Sequence, residues 1–201
     1  QPGDEILTTD HEYGAMDRTW KHLCERIGAK YVHQPIPIPV TSHEEFVEQF
    51  WAGVTDRTRI IFISHITSAT ALIFPVEHLV AQLQARGVDV LADGAHAPGM
   101  LPLDLDALGA AYYTGNCHKW LLAPKGSAFL HVRADRQERL HPLVISHGWN
   151  SRQRSTTRLH AEFDWTGTQD PSPWLCLPAA LDFVLNHFPE GFAGLIDRNH
   201  R

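Results

Sequence analysis

Apolar and polar positions follow two different periods along this chain, and the two periods predict alternating strands and helices. Short apolar runs predict strands in "DEILTTD", "TRIIFISH" and "VDVLADGAH". Between the runs, apolar residues recur every three or four positions, as at Met16, Trp20, Leu23 and Ile27, which predicts amphipathic helices. Strands that alternate with helices are typical of parallel βαβ units, so the chain is predicted to be an α/β protein.

Glycines and capping residues predict where these helices begin and end. The first helix is expected to end at Gly28, and the third, in "FPVEHLVAQLQARG", at Gly87. The second helix, in "TSHEEFVEQF", has either Thr41 or Ser42 as its N-cap. The prolines of "AKYVHQPIPIPV" predict an extended stretch at a sheet edge or in a loop.

The pattern changes after Gly109, where two predicted strands follow each other without a helix between them. The loop between "AAYYTG" and "GSAFLHVR" is too short for a crossover helix, so one of the two strands is expected to run antiparallel. Helical spacing returns in "DPSPWLCLPAALDFVLNHF", where Pro178 either kinks the helix or marks its first turn. The predicted fold is a three-layer α/β/α arrangement around a mixed, mostly parallel sheet.

Charge and cysteine content narrow the classes of partner and compartment. The 201 residues carry 17 Lys and Arg against 23 Asp and Glu, with no basic stripe, so nucleic acid is not expected as a partner. The apolar runs are too short to span a bilayer, and no membrane partner is expected. Three cysteines without a CxxC pair indicate reduced thiols. The short apolar runs, together with an N-terminus that lacks a charged region followed by an apolar core, predict a cytoplasmic protein.

Polar residues cluster where four of the predicted strands end. The clusters are "TTDHEY", "SHITSAT", "DGAHAPG" and "TGNCHK". In open α/β sheets, ligands bind beyond the carboxyl ends of the strands, where loops and helix N-termini converge. If the strands are parallel neighbours, the four clusters line one crevice.

Two of these clusters hold a lysine and an aspartate that suit one cofactor chemistry. A lone lysine is usually a surface charge, and Asp93 alone is more often the cap of a turn through Gly94. A buried lysine, however, has a lowered pKa, and its free amine forms an imine with an aldehyde, so Lys119 together with Asp93 suggests a cofactor site. Pyridoxal phosphate needs such a lysine together with an acid that keeps its pyridine nitrogen protonated.

The stretch "DGAHAPGMLPLDLDALGAAYYTGNCHKWLLAPKGSAFLHV" resembles the core of the class V aminotransferase family, which comprises fold-type I pyridoxal-phosphate enzymes. Within that family it is most similar to the isopenicillin N epimerase-like branch, and a weaker likeness extends from about Gly3 to about Phe188. The resemblance implies that residues 1–188 form the cofactor-binding large domain, incomplete at its N-terminus. Residues 189–201 would then begin the connection to a small C-terminal domain.

The resemblance also implies a role for each matched residue in the core stretch. Lys119 would carry the cofactor as a Schiff base and act as the general base. Asp93 would pair with the pyridine nitrogen, and His96 would bond to the ring hydroxyl. His118 would lie beside the cofactor phosphate.

Matches outside the core stretch imply further contacts. His11 would stack on the cofactor ring as a catalytic group, although Asp10 stands where relatives have glutamate; a loop or capping histidine is the alternative. Thr67 and Ser68 occupy positions where relatives carry asparagines near the ring hydroxyl.

A stretch near the end of the chain resembles the family's Gly-Thr turn, and this resemblance implies an oligomer. Gly167 and Thr168, in "DWTGTQDPSPW", would approach the cofactor phosphate of a neighbouring subunit, which makes a homodimer with shared active sites the expected assembly. The alternative is an ordinary turn before the last predicted helix.

Other candidate sites receive less support from the sequence. The fourteen histidines raise the question of a metal, but no HExxH pattern occurs and no metal site is expected. Arg152, Arg154 and Arg158 could hold a substrate carboxylate or lie in a solvated loop. Cys117 is expected to pack in the core.

Removal of the α-proton of an amino-acid substrate by Lys119 would precede several reactions. The resemblance favours an isopenicillin N epimerase-like enzyme; a carbon-sulfur lyase or cysteine desulfurase and an aminotransferase are the alternatives. A desulfurase needs a mobile sulfur-accepting cysteine, and none of the three cysteines stands in a suitable late loop. A truncated, cofactor-free relative with a structural role is the non-enzymatic alternative.

Overall fold

A six-stranded sheet forms the centre of the computed structural model, which describes residues 1–151 and 157–201. The strand order is β2-β1-β3-β4-β5-β6. Every neighbouring pair is parallel except β5 and β6, which are antiparallel. The strands are β1 Glu5–Thr9, β2 Lys30–Gln34, β3 Thr58–Ser64, β4 Asp89–Gly94, β5 Tyr112–Asn116 and β6 Ala128–Val132.

Helices connect the parallel strands and form the end of the chain. They are α1 Gly14–Ile27, α2 His43–Trp51, α3 Val76–Gln84, α4 Leu105–Leu108, α5 Arg158–Phe163, α6 Ser172–Leu175, α7 Leu177–His187 and α8 Phe192–His200. A 3₁₀ turn spans Ala134–Arg139. The predicted fold class is confirmed, and so is the antiparallel final strand. The division into a domain over 1–188 and a connection over 189–201 stays a prediction.

Successive side chains of β3 point to opposite faces of the sheet, and apolar clusters cover both faces. Ile61 and Ile63 join the larger apolar cluster, which also holds side chains of α2 and α3. Phe62 points to the opposite face, where it packs with Cys24 of α1. Burying one such side chain contributes roughly 1.5–3 kcal/mol. Helices therefore cover both faces, which is the predicted three-layer arrangement.

The chain reverses its direction of travel across the sheet between β1 and β3. From β1 it moves outward to β2, then returns to the other side of β1 at β3 and continues through β4 to β5. In sheets of this kind, the loops diverge at the point of reversal and leave a crevice beyond the carboxyl ends of the strands. This topology positions the site described below.

Several helix boundaries differ from the predicted ones for local reasons. The long helix predicted near the end of the chain is two helices, α6 and α7, and Pro178 lies in the first turn of α7, where a missing N–H is tolerated. Ser42 rather than Thr41 caps α2, because its side chain accepts a hydrogen bond from Glu45 N at 3.1 Å. Helices α4 and α5 are too short for periodicity to reveal. Among the helices described, none has the length and apolar character needed to cross a membrane.

Candidate active site

A cavity of about 390 Å³ opens beyond the carboxyl ends of β1, β3, β4 and β5. All four polar clusters predicted to meet there contribute to its lining. Its lining side chains include Tyr13, Ser68, Asp93, His96, His118 and Lys119.

The turn after β5 presents Lys119 to this cavity. β5 ends at Asn116, and the next residue, Cys117, is only 4% exposed and closes the turn through backbone bonds with Ser127 and Ala123. Cys117 is therefore a packing residue, as predicted. The buried cysteine fixes the backbone on one side of the lysine, so Lys119 projects toward the strand ends.

Lys119 is partly buried, and burial lowers the pKa of its ammonium group. The carboxylate of Asp93 opposes this effect, since it favours the charged form. The Lys119 Nζ atom lies 3.0 Å from Nε2 of His96. Burial, followed by the charge of Lys119, lowers the pKa of His96.

Asp93 stands at the end of β4, opposite Ser64 of β3 and Thr114 of β5. Its Oδ1 atom accepts a hydrogen bond from Ala95 N at 2.9 Å, so it caps the turn as well as lining the cavity. Within residues 1–151 and 157–201, no other hydrogen bond and no ion pair reaches this carboxylate. A half-buried carboxylate without a cationic partner suits a positively charged ligand.

His118 is oriented by the strand that follows it. Its Nδ1 atom donates to the carbonyl oxygen of Ser127 at 2.9 Å. Because a carbonyl oxygen can only accept, Nδ1 carries a proton, and Nε2 is the nitrogen that remains for a ligand of the cavity.

His11, which is predicted to stack on the cofactor ring, makes its contacts outside the described lining of the cavity, and the stacking stays a prediction. Its Nε2 atom lies 2.7 Å from the carbonyl oxygen of Ile36, and its ring packs edge-on against Phe74. Asp10 accepts a hydrogen bond from Ile36 N, and this pair of contacts turns His11 toward the segment after β2. The described lining of the cavity includes Tyr13, the N-cap of α1, and not His11.

Of the two hydroxyl residues predicted near the ring, Ser68 lines the cavity and Thr67 does not. Thr67 is 2% exposed, and its Oγ1 atom accepts from Leu72 N at 2.8 Å and pairs with the hydroxyl of Thr70. It therefore holds the turn between β3 and α3.

Glu12 and Tyr13 belong to the quoted "TTDHEY" stretch but were not predicted as site residues. The Glu12 carboxylate accepts bonds from the Thr9 hydroxyl and from both the amide and the hydroxyl of Ser64, and so joins the ends of β1 and β3. Burial raises the pKa of Glu12, and these hydrogen bonds oppose the increase. The sequence signal was the position of both residues directly before a helix at a strand end.

The remaining candidates lie elsewhere. Gly167 and Thr168 fall between α5 and α6, and the described lining of the cavity includes neither, so their contact with a neighbouring subunit stays a prediction. Arg158 pairs with Glu162 at 2.7 Å and donates to Leu140 O at 3.0 Å, which makes it a structural clamp rather than a free carboxylate binder.

Two further questions concern arginines and metals. Arg152 and Arg154 lie outside the described residues. In the ranges 1–151 and 157–201, no group of three His, Cys, Asp or Glu side chains could hold a metal ion.

The donor set of the cavity fits pyridoxal phosphate. Lys119 offers a partly desolvated amine for an aldehyde, and Asp93 offers an unpaired carboxylate for a protonated pyridine nitrogen. The imidazoles of His96 and His118 add polar contacts on the same wall.

The chain is similar to curated proteins of two activities. It is 40% identical over 192 residues to isopenicillin N epimerase of Amycolatopsis lactamdurans, and the aligned region covers 90% of this chain and 48% of that protein. It is 37% identical over 207 residues to putative L-cysteine desulfhydrase 1 of Oryza sativa subsp. japonica, covering 98% of this chain and 42% of that protein. The chain thus spans less than half the length of these relatives.

Solved structures share its fold. The cystine C-S lyase C-DES in complex with cysteine persulfide superimposes with a TM-score of 0.80 at 26% identity, over 91% of this chain and 50% of that one. A C-DES variant with glycine covalently linked to its PLP cofactor gives a TM-score of 0.76 at 25% identity, over 91% and 49% of the two chains. The family model for class V aminotransferases matches residues 1–190. The chain therefore belongs to the class V aminotransferase family, as the resemblance of its core stretch predicted.

Proposed function

We propose that the protein is a pyridoxal-phosphate-dependent enzyme that acts at the α-carbon of an amino acid or an amino-acid-derived substrate. The observation that carries this proposal is the Lys119 amine, whose pKa is lowered by burial, beside the unpaired Asp93 carboxylate in one cavity. When bound, the cofactor supplies an aldehyde for the lysine and a ring that withdraws electrons from the α-carbon.

Each of the other lining residues has a task that suits its position. Asp93 balances the charge of the pyridine nitrogen, and His118 contacts the phosphate through Nε2. Tyr13 takes the place over the ring face that the sequence had given to His11. Ser68 is the hydroxyl that remains available near the ring, since Thr67 is bonded within its own turn.

Lys119 is also the base that removes the α-proton. A neutral amine accepts a proton, and burial makes the neutral form of Lys119 more accessible near pH 7 than that of an exposed lysine. We therefore expect proton removal to depend on the amine of Lys119.

The reaction favoured for this chain is an epimerisation like that of isopenicillin N epimerase. The second candidate is carbon-sulfur cleavage, and the likeness to cysteine desulfhydrases and to C-DES supports it. A desulfurase with a sulfur-accepting cysteine is less well supported, because Cys24 and Cys117 are buried and the exposed Cys176 does not line the cavity.

The assembly proposed is a homodimer, with Gly167 and Thr168 of one subunit near the cofactor phosphate of the other. Consecutive exposed apolar residues, among them Leu143, Val144 and Ile145, give the chain a surface that a second copy could cover. Sedimentation of the full-length protein is expected to give a dimer, and a stable monomer that binds the cofactor tightly would contradict the shared site. A cytoplasmic location is proposed because all three cysteines are free.

Exchange of the substrate α-proton tests the proposed activity without assuming one reaction. The full-length protein with pyridoxal phosphate is incubated in deuterated water with several L-amino acids, including L-cysteine, and each is assayed for deuterium, the D-isomer, keto acid and sulfide. We expect deuterium exchange in the unsubstituted protein and none in Lys119→Ala. Lys125→Ala is the control: Lys125 is an exposed lysine in the loop between β5 and β6, and its substitution should leave the exchange intact. No exchange with any substrate would contradict the proposal.

A further inference from the structure

The side chains of Trp120, His96 and Lys119 form a series of contacts in which His96 lies between the indole and the amine. The Trp120 Nε1 atom lies 3.2 Å from His96 Nδ1, and His96 Nε2 lies 3.0 Å from Lys119 Nζ. Every contact in this series joins two nitrogens, so the direction of each hydrogen bond depends on where the protons are.

The indole sets that direction for the whole series. An indole nitrogen is only a donor, so His96 Nδ1 must be the acceptor and cannot carry a proton. The proton of the neutral imidazole is then on Nε2, which donates toward Lys119. A nitrogen that accepts a hydrogen bond needs a lone pair, and Nζ of Lys119 has one only as a neutral amine.

We propose that Trp120 is a positioning residue that sets the tautomer of His96 and thereby holds Lys119 as a free amine. Its value for catalysis rests on the proposed function, in which that amine attacks the aldehyde of the cofactor. The tautomer itself is a property of the protein without the cofactor.

The backbone fixes the partners of this series in place. Trp120 directly follows Lys119 in the same turn, and a Cβ atom on Gly99 would lie 2.5 Å from the Trp120 carbonyl oxygen. The turn that carries His96 and the turn that carries Lys119 are thus in backbone contact. This contact limits how far the indole can move from the imidazole.

The surroundings of Lys119 and His96 have opposing effects on the pKa values of the two side chains. Burial lowers the pKa values of Lys119 and of His96, which favours the neutral pair. Asp93 on β4 favours the charged form of each. The hydrogen bond from the indole also favours the neutral pair. It disfavours the opposite tautomer of His96, whose unprotonated Nε2 would accept a hydrogen bond from a charged Lys119.

Nitrogen NMR of the cofactor-free, full-length protein tests the proposal. The ¹⁵N shifts of His96 distinguish a protonated ring nitrogen from an unprotonated one, and the pH dependence of amine modification at Lys119, followed by peptide mapping, gives its pKa. Trp120→Phe keeps an aromatic ring and removes the donor. Trp174→Phe is the matched control, since Trp174 is 41% exposed against 42% for Trp120 and does not line this cavity.

We expect the unsubstituted protein to carry the His96 proton on Nε2. Trp120→Phe should shift it toward Nδ1 and reduce the rate of Lys119 modification at neutral pH by about threefold, which corresponds to a rise of about half a pKa unit. Trp174→Phe should change neither. A proton on Nδ1 in the unsubstituted protein would overturn the proposal, and this measurement is decisive even if Trp120→Phe fails to fold. An unchanged Lys119 pKa in a folded Trp120→Phe protein would also overturn it.

The proposed function fails by a different result. If Lys119 is not the residue that borohydride links to added cofactor, the enzyme assignment is wrong whatever the tautomer of His96. If the linkage forms while the His96 proton is on Nδ1, only the role of Trp120 is wrong.

Discussion

Lys119 is held in surroundings that oppose its ordinary charged state. Burial lowers its pKa, and its nearest polar partner is an imidazole rather than a carboxylate. The sequence could predict Lys119 and Asp93 because each lies at or shortly after the carboxyl end of a predicted strand and both belong to the core stretch that resembles the family. It could not predict the orientation of His11, which depends on two hydrogen bonds with Ile36, a residue beyond β2: Asp10 accepts one from the Ile36 amide, and His11 donates the other to the Ile36 carbonyl oxygen.

Replacing Lys119 by methionine should stabilise the cofactor-free protein at neutral pH. A lysine whose pKa is lower in the folded state binds fewer protons there than in the unfolded chain, so the free energy of unfolding rises with pH. This rise continues until the pH passes the unfolded pKa of about 10.4. The advantage of Lys119→Met over the unsubstituted protein should therefore be largest near pH 7 and shrink toward pH 10.

Denaturant unfolding at several pH values measures this effect. Lys125→Met serves as the control, because Lys125 is exposed and its substitution should give a difference that does not depend on pH. If the difference in unfolding free energy between Lys119→Met and the unsubstituted protein is also independent of pH, the pKa of Lys119 is not lowered by folding.

Tyr13 should contribute more to cofactor binding than His11. Tyr13→Ala removes an aromatic face from the cavity and is expected to weaken pyridoxal-phosphate binding roughly fivefold, in line with the worth of an aromatic stacking contact. His11→Gln keeps a donor for the Ile36 carbonyl and should change the dissociation constant by less than about twofold. Fluorescence titration of the full-length protein compares the two, and a larger loss for His11→Gln would restore the sequence-based prediction.

The strands and helices were more predictable than the turns that join them. Apolar runs located β1, β3 and β4, and helical spacing located α1 and α3, because each of these elements buries apolar side chains over several residues. The split between α6 and α7 depends on Pro178, for which the sequence left two outcomes open. Contacts between the turns, such as that of Gly99 with Trp120, involve residues far apart in sequence and leave no periodic signal.

Two glycine substitutions separate backbone strain from close packing between turns. Gly99 and Gly87 have similar positive φ values, +83° and +69°, so an alanine is strained at both positions. At Gly87 no atom lies within 4 Å of the added Cβ, whereas at Gly99 the Trp120 carbonyl oxygen and carbon lie at 2.5 and 2.7 Å. We expect Gly87→Ala to cost about 1 kcal/mol of unfolding free energy and Gly99→Ala about 3 kcal/mol.

Denaturant titration measures both changes in unfolding free energy, provided that the dependence of this free energy on denaturant concentration has the same slope in each variant. Equal costs at the two positions would mean that the turn carrying His96 adjusts freely around Trp120. In that case the indole would not be fixed beside the imidazole.

The order of strands across the sheet makes the separate polar clusters into one site. Period and spacing predicted the α/β class, but the position of β1 between β2 and β3 depends on how the crossovers pack and could not be predicted from any local pattern. That order places the ends of β1, β3, β4 and β5 side by side. The lysine, the aspartate and the two histidines therefore share one cavity although Lys119 lies 26 positions after Asp93 in the sequence.

Reductive trapping of the cofactor tests the central claim most directly. The full-length protein is mixed with pyridoxal phosphate, treated with borohydride, digested, and mapped by mass spectrometry, with Lys119→Ala and Lys125→Ala in parallel. Our account predicts a single stable adduct on Lys119 that is absent from Lys119→Ala and undiminished in Lys125→Ala. An adduct on another lysine, or none in any of the three proteins, would contradict the account.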